Sequence, residues 1–182
     1  MIHQHGYWTE KSETDLHACD ESLCNAIIEI FNKKLTIVDL GCGNGAYTKR
    51  FIEAGFDCRG YDGSPLTPEI SGGVCGVLDL SEPIDIGVFD MVVSLEVGEH
   101  IPAEYEQIFI DNICKSSKKY VLLSWGVEGQ PGVGHVNCRN NDYIIKEMER
   151  RGLRYNKIDS DYLRSKSTFP WFANTVMLFY HG

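Results

Sequence analysis

No apolar run in the 182-residue chain reaches the length of a membrane span, and Met1 to Glu10 is polar and aromatic, without the apolar core of a secretory leader. Basic charge is scarce. Seventeen Lys and Arg stand against 26 Asp and Glu, a formal net charge of −9. Such a chain has no long-range attraction to nucleic acid or to an anionic membrane, and a polyanion would need a local basic patch. Lys146, Arg150, Arg151 and Arg154 are the one candidate, and interleaved Glu147 and Glu149 make that stretch read as a solvated helix face. Paired cysteines are missing too. Cys19, Cys24, Cys42, Cys58, Cys75, Cys114 and Cys138 are odd in number and form no Cys-x-x-Cys. Scattered thiols inside apolar runs point to a reducing, cytoplasmic setting in which cysteine serves as a small hydrophobe. His135…Cys138 is too isolated to argue for zinc, and His3…His5 sits in a tail, so no metal is expected. No internal repeat or low-complexity tract appears. The length suits a single domain over residues 1–182.

What the chain does have is a glycine cluster at a strand end. Leu35 to Leu40 reads as a buried strand that breaks at Gly41-Cys42-Gly43-Asn44-Gly45, and an apolar-periodic helix follows with Tyr47, Phe51 and Ala54. This is the strand–turn–helix opening of a βαβ nucleotide-binding unit. A second strand, Phe56 to Tyr61, ends on Asp62-Gly63, and Asp62 lies at the distance where such units place a carboxylate for ribose hydroxyls.

The remaining elements follow the same logic. Ser12-x-x-Asp15 resembles a capping box, and apolar positions from Leu16 to Ile30 predict a helix over about Thr14 to Asn32. Residues 1–13 are a tail or a flap whose Tyr7 and Trp8 cover a ligand. Val74 to Leu78 is a third strand running into Asp79-Leu80, and Val88 to Ser94 a fourth, followed by Leu95-Glu96-Val97-Gly98-Glu99-His100-Ile101-Pro102. Pro102 suits the first turn of the next helix. Lys119 to Trp125 is the fifth strand. The glycine-rich stretch 126–139 is a substrate-side loop carrying His135 and Asn137, and 159–173 is a second one. A helix capped at Asn140 or Asn141 separates the first loop from the last two strands, Leu153 to Ile158 and Asn174 to Tyr180. Alternating strands and helices predict an α/β fold, a doubly wound, mostly parallel seven-stranded sheet with an antiparallel final strand. Ligands bind such sheets outside the carboxyl ends of the strands, where Asp39, Gly41, Asp62, Asp79, Glu96, His100 and His135 all fall.

Two nucleotides compete for that site. Gly41-x-Gly43-x-x-Ala46 satisfies the alanine variant of the NAD(P) fingerprint. Against it stand Asp39 immediately before the turn, where a pyrophosphate disfavours a carboxylate, and the absence of a separate substrate domain. The ordered set Val38-Asp39-Leu40-Gly41-Cys42-Gly43-Asn44-Gly45, Asp62, Asp79 and Leu95 to Pro102 resembles the motifs of class I S-adenosylmethionine-dependent methyltransferases, over roughly residues 14 to 180. The resemblance implies S-adenosylmethionine as methyl donor. Its amino-acid part would lie along Gly41, Cys42 and Gly43, its ribose on Asp62, its adenine amine on Asp79, and its own amine by Leu95 and Glu96. Gly63 stands where that family often has a larger apolar residue, leaving the adenine face to Leu80 or to Tyr7 and Trp8. The donor is a sulfonium cation without phosphate, for which acids such as Asp39 and Glu96 are favourable company.

For the acceptor, the Asn/Asp-Pro-Pro-Tyr/Phe signature of amino-directed nucleic-acid enzymes is missing after strand four, as is the Pro-Cys nucleophile of cytosine-5 enzymes. The run from Ser124 to Arg139 resembles small stand-alone methyltransferases of surface-glycan and natural-product pathways. The expectation is O-methylation of a sugar or other small molecule, with no nucleic-acid or membrane partner. An alcohol acceptor has to lose its proton, and His135, His100 and Glu99 are the candidate bases. An NAD(P)-binding oxidoreductase and a catalytically silent methyltransferase-fold subunit that activates a partner remain as alternatives.

Overall fold

The computed structural model describes residues 1–10, 17–31 and 33–182. Its framework is one seven-stranded sheet in the order β3-β2-β1-β4-β5-β7-β6. The strands are β1 (Thr36–Leu40), β2 (Asp57–Asp62), β3 (Cys75–Val77), β4 (Phe89–Ser94), β5 (Ser117–Leu123), β6 (Leu153–Tyr155) and β7 (Met177–His181). The first five pair in parallel, and β7 runs antiparallel between β5 and β6. Strand order reverses between β1 and β4, so a crevice opens there at the carboxyl ends.

The central strands are apolar on both sides and send alternate residues into two cores. Val38, Val92, Val121 and Phe179 face α4 (Glu106–Ser116) and α5 (Asn141–Arg150) through Phe109, Ile113, Ile144 and Met148. Ile37, Met91, Leu122 and Leu178 face α1 (Glu21–Ile30), α2 (Ala46–Glu53), α6 (Lys157–Lys166) and α7 (Phe172–Thr175) through Ile27, Phe51, Leu163 and Phe172. A short α3 (Thr67–Ile70) lies between β2 and β3. Arg151 is tied to Asp111 at 2.7 Å and to Glu147 at 3.1 Å, and Arg150 also meets Glu147. Two of the four basic residues, Arg150 and Arg151, are therefore spent on α4 and α5. Among the described residues, no helix is long and apolar enough to cross a membrane.

Several expected elements differ: the strand expected over Leu153 to Ile158 ends at Tyr155, and the one over Asn174 to Tyr180 begins only at Met177, after a helical turn. Ser12, Thr14, Asp15, Leu16 and Asn32 lie outside the described residues, and within those described the helix starts at Glu21 rather than near Thr14. Its cap is Asp20, which accepts from Ser22 N at 3.1 Å and Leu23 N at 3.0 Å. The same buried carboxylate also accepts from Ser167, Thr168 and Phe169, stapling α1 to the chain before α7. Pro102 precedes a turn, and α4 begins only at Glu106. The expected loop over 159–173 is helical from Lys157 to Lys166, capped by Asn156, whose side chain accepts from Asp159 N. That helix carries little apolar periodicity, because Ile158 points outward while Ser160 and Leu163 are buried.

Candidate active site

The glycine turn between β1 and α2 is built as a closed unit. Gly41, Gly43 and Gly45 have φ of +83°, +54° and +74°, the left-handed region where a Cβ is strained. The N–H groups of Gly41 and Cys42 both donate to Tyr61 O, Gly45 N to Cys42 O, and Ala46 N to the Asn44 side chain. Gly43 N donates to Asp62 Oδ2 at 2.9 Å, and Ser64 N to Asp62 Oδ1 at 2.9 Å. These amides are spent inside the protein, so the turn is not the open N–H cradle that a pyrophosphate needs. Asp62 keeps unused lone pairs at the cavity wall, since a carboxylate offers about four acceptor sites.

Asp39 does not join it there. Its carboxyl is buried under the turn, accepts from Thr48 Oγ1 at 2.7 Å, and is absent from the cavity lining. Burial pushes it up to about 7. Its expected place beside a bound donor is corrected to a support beneath the turn.

The cavity at the crevice measures about 810 Å³, within the range of small-molecule sites. Gly41, Cys42, Gly43, Asp62, Gly63, Asp79, Leu80, Leu95, Glu96, Trp8, His100 and His135 all line it. Residues 1–10 fold back over it, with Ile2 bridged to Trp8. Tyr7 packs on Gly63 where a Cβ would stand, and Trp8 stacks on His17, which in turn sits on Gly43. Burial lowers the pKa of His17 and leaves its Nδ1 without a hydrogen-bond partner. Asp79 accepts from Ser81 N and Oγ on one oxygen and lies 2.6 Å from His5 Nδ1 on the other. The lining includes the carboxylates of Asp62, Asp79, Glu96 and Glu128 and, among the described residues, no lysine or arginine.

On the far side of the crevice, β4 runs into Glu96, whose φ of +54° makes it the one non-glycine in the left-handed region among the described residues. Its strained backbone is anchored: the amide donates to Ser124 Oγ at 2.8 Å, and the carboxylate accepts from Gln130 Nε2 at 2.6 Å and Thr175 Oγ1 at 3.2 Å. Glu99 follows, with no exposed surface and with neither carboxyl oxygen meeting a donor. Burial and then the charge of Glu96 raise its pKa well above the carboxylate range. Burial and then His135 press His100 down to about 4, so its imidazole is neutral at pH 7.

The loop between β5 and α5 is pinned onto this corner. Val136 N and Asn137 N both donate to Glu99 O at 2.9 Å, and Trp125 Nε1 donates to Asn137 O at 2.7 Å. Buried Glu106 accepts from Asn137 Nδ2 at 3.0 Å, from Arg139 Nε at 2.6 Å and from the Tyr143 hydroxyl. Burial pushes the Glu106 carboxyl up, but these donors outweigh it and hold it below the usual range. The result brings His135 beside His100, with ring centroids 5.0 Å apart and planes at 86°, and sets His135 Nε2 4.0 Å from Glu99 Oε1. The three expected candidate bases therefore converge, although Glu99 itself lies behind the cavity wall.

The sequence reading passed over Glu106, Gln130, His17 and Tyr143 as site supports. Glu106 opens α4 as an ordinary acid in a first helical turn would, and only the structure shows it buried among compensating donors. No sequence signal marks Gln130 or His17, whose roles arise from loops meeting in space.

No family model matches the chain. The sheet order, its reversed strand β7 and the glycine turn are those of the class I methyltransferase fold. In the same architecture, the sugar N-methyltransferase KedS8 from Streptoalloteichus superposes with a TM-score of 0.74 at 10% identity, over 96% of this chain and 94% of that one. The TehB-like S-adenosylmethionine-dependent methyltransferase from Corynebacterium glutamicum gives 0.66 at 18% identity, over 94% and 92%. Magnesium protoporphyrin IX methyltransferase from Synechocystis PCC 6803, with bound S-adenosylhomocysteine, gives 0.65 at 16%, over 94% and 83%. Among curated proteins, a probable chloroplastic tocopherol O-methyltransferase of Oryza sativa subsp. japonica is 24% identical over 133 residues, 64% of this chain. The match spans 37% of that relative's length.

Proposed function

We propose that this protein transfers a methyl group from S-adenosylmethionine to a hydroxyl oxygen of a sugar or other small molecule. The observation that carries the reading is the charge of the cavity wall: carboxylates at Asp62, Asp79, Glu96 and Glu128, and no lysine or arginine among the described residues. A sulfonium donor with a free amine is favoured there, and a pyrophosphate or a phosphorylated acceptor is repelled. The internally spent amides of the turn count equally against NAD(P).

When bound, the donor supplies an electrophilic methyl carbon. The chain's own residues bind and orient. Asp62, held rigid by Gly43 N and Ser64 N, accepts from ribose hydroxyls with its remaining lone pairs. Asp79 accepts from the adenine amine beside its bond to His5, and Leu80 and Tyr7 flank the ring at Gly63. Gly41 and Cys42 line the amino-acid end, and Leu95 with Glu96 receives the cationic amine. Much of the acceleration in such a displacement comes from holding donor and acceptor in line. The acceptor enters between Trp8, the 126–138 loop and Trp171, which places its hydroxyl near His135 and His100. At that corner the proton leaves.

A thermal-shift titration tests the donor. S-adenosylhomocysteine at about a hundred times its dissociation constant is expected to add ~2.7 kcal/mol of stability, while NADH adds none. A shift with NADH alone would replace this reading with the oxidoreductase, and no shift with either would favour a silent subunit.

A further inference from the structure

We propose that Glu99, His100 and His135 form a binding site for a divalent first-row transition-metal ion, open toward the acceptor side of the cavity. One ligand atom from each residue lies within 4.8 Å of the others. Ion bonds of ~2.0–2.2 Å set such atoms roughly 3–3.5 Å apart, so the cluster closes by about an ångström on binding, through rotation of the two rings.

Several observations point to a ligand here rather than to a packed cluster. Glu99 has no exposed surface, and both of its carboxyl oxygens are without a hydrogen-bond partner. A buried carboxyl in that state is costly when ionised, because burial and the neighbouring Glu96 carboxylate both oppose its charge. His100 Nδ1 is likewise buried and unpartnered. His135 is already oriented as a ligand. Its Nδ1 lies 3.2 Å from the carbonyl of Gln130 and 3.7 Å from Cys138 Sγ, and the carbonyl, which can only accept, is satisfied by the tautomer with its hydrogen on Nδ1. In that tautomer the lone pair is on Nε2, which lies 4.0 Å from Glu99 Oε1. A carbonyl on the far nitrogen is the usual outer support of a metal-binding imidazole. The backbone adds a second constraint, because Val136 N and Asn137 N clamp the loop to the Glu99 carbonyl.

A water is the competing occupant. It has two hydrogens for three acceptor positions, the two oxygens of an ionised Glu99 and His135 Nε2, so a water leaves Glu99 protonated. A cation satisfies all of them and also offsets the neighbouring charge of Glu96, which lies close enough to bear on the Glu99 carboxyl. Two imidazoles with one carboxylate suit Zn²⁺, Mn²⁺, Fe²⁺ or Co²⁺ and are a poor match for Mg²⁺, which prefers oxygen ligands. His135 lies at the cavity wall and Glu99 behind it, so open positions on the ion face the acceptor.

The ion's role rests on the methyl-transfer reading, although its binding does not. An acceptor hydroxyl coordinated there is a stronger acid and gives its proton to solvent. Its oxygen then forms the new bond to the methyl carbon as the carbon–sulfur bond breaks, and that electron pair returns to sulfur.

The test uses the whole chain, stripped with a chelator and titrated calorimetrically with Zn²⁺, Mn²⁺ and Mg²⁺ in the absence of methyl donor. Co²⁺ serves as an absorbing probe. One equivalent of Zn²⁺ or Mn²⁺ and visible Co²⁺ bands are expected, with Mg²⁺ much weaker. Glu99→Gln and His135→Ala should each weaken binding by more than about 10-fold, with circular dichroism confirming that they remain folded. His3→Ala with His5→Ala should leave the stoichiometry unchanged, excluding the other histidine pair. Absence of stoichiometric binding, or binding indifferent to Glu99→Gln and His135→Ala, would overturn the site and leave water as its occupant. S-adenosylhomocysteine affinity, measured on the same metal-free protein, reports separately on the methyl-donor reading.

Discussion

The two walls of the crevice are finished differently. On the β1–β2 wall nearly every polar group near the turn has its partner within the protein: Gly43 N and Ser64 N on Asp62, Gly41 N and Cys42 N on Tyr61, Asp39 on Thr48. On the β4–β5 wall the scaffold is equally well tied through Glu106 and the Glu99 carbonyl, yet it holds out side chains that have nothing to bind. A satisfied wall binds by presenting spare lone pairs at a fixed position. An unsatisfied wall stores a cost that a ligand removes on arrival. The first is a template and the second a receptor waiting for charge.

The largest expected effect is on the support of the second wall. Glu106→Ala leaves Asn137 and Tyr143 without their acceptor and Arg139 without its carboxylate, and is expected to cost about 3–5 kcal/mol in urea unfolding. If the walls are independent, whatever folded protein remains keeps its affinity for S-adenosylhomocysteine. Equal loss of both would show a single cooperative site. Because Glu106 is held below its usual pKa by these donors, its contribution is full above pH ~4.3, the ordinary glutamate value, and fades as pH falls further.

Next comes the one group on the first wall that is paired yet uneasy. Asp39 is raised to about 7, so between pH ~4 and 7 the folded chain keeps a proton that the unfolded chain has lost. Stability should therefore decline as pH rises through that window, at up to ~1.4 kcal/mol per pH unit. Asp39→Asn should flatten the profile. An unchanged slope would mean that another group titrates.

Asp62→Ala is smaller in stability and sharper in binding. Loss of a charged acceptor worth ~1.5–3 kcal/mol predicts a drop of roughly 10- to 100-fold in S-adenosylhomocysteine affinity by calorimetry, with metal uptake at Glu99 unaffected. Intact affinity would remove Asp62 from the donor site. The smallest change is Gly132→Ala. Gly132 has an ordinary φ, but a Cβ there meets the imidazole of His135. Global stability should move by less than about 1 kcal/mol, whereas acceptor turnover should fall with donor affinity unchanged. Turnover equal to the parent would show that His135 tolerates displacement.

The contrast between the walls also explains what was legible beforehand. The first wall is local in sequence: a glycine turn and an acid nineteen residues on, both obeying the stereochemistry of one βαβ unit. Those constraints are written in residue types. Even so, the sequence placed Asp39 at the ligand, because a charged residue at a strand end carries no mark of which way its side chain turns. The second wall is assembled from Glu99 and His135, thirty-six positions apart, through a loop whose path is set by backbone bonds to a carbonyl. His135 stood out by its setting among glycines. The proximity of Glu99 did not, and ligand spacing counted along the chain misses it. Helix α6 was hidden for a related reason, since its buried face holds a serine that hydrogen bonds across to Leu178 N rather than an apolar residue.

The position of β7 bears on how the chain comes together during synthesis. Residues of β6 are made before β7, but β7 is the one strand of the sheet that β6 pairs with. The five parallel strands can assemble as their residues emerge, whereas β6 has to wait with its edge open until β7 threads between it and β5. Such a long-range pairing is slow to form and exposed to wrong partners in the interval. A bound ligand at the β1–β4 crevice needs none of the last strand's hydrogen bonds, so an early ligand can hold the parallel half in register while the antiparallel half is completed.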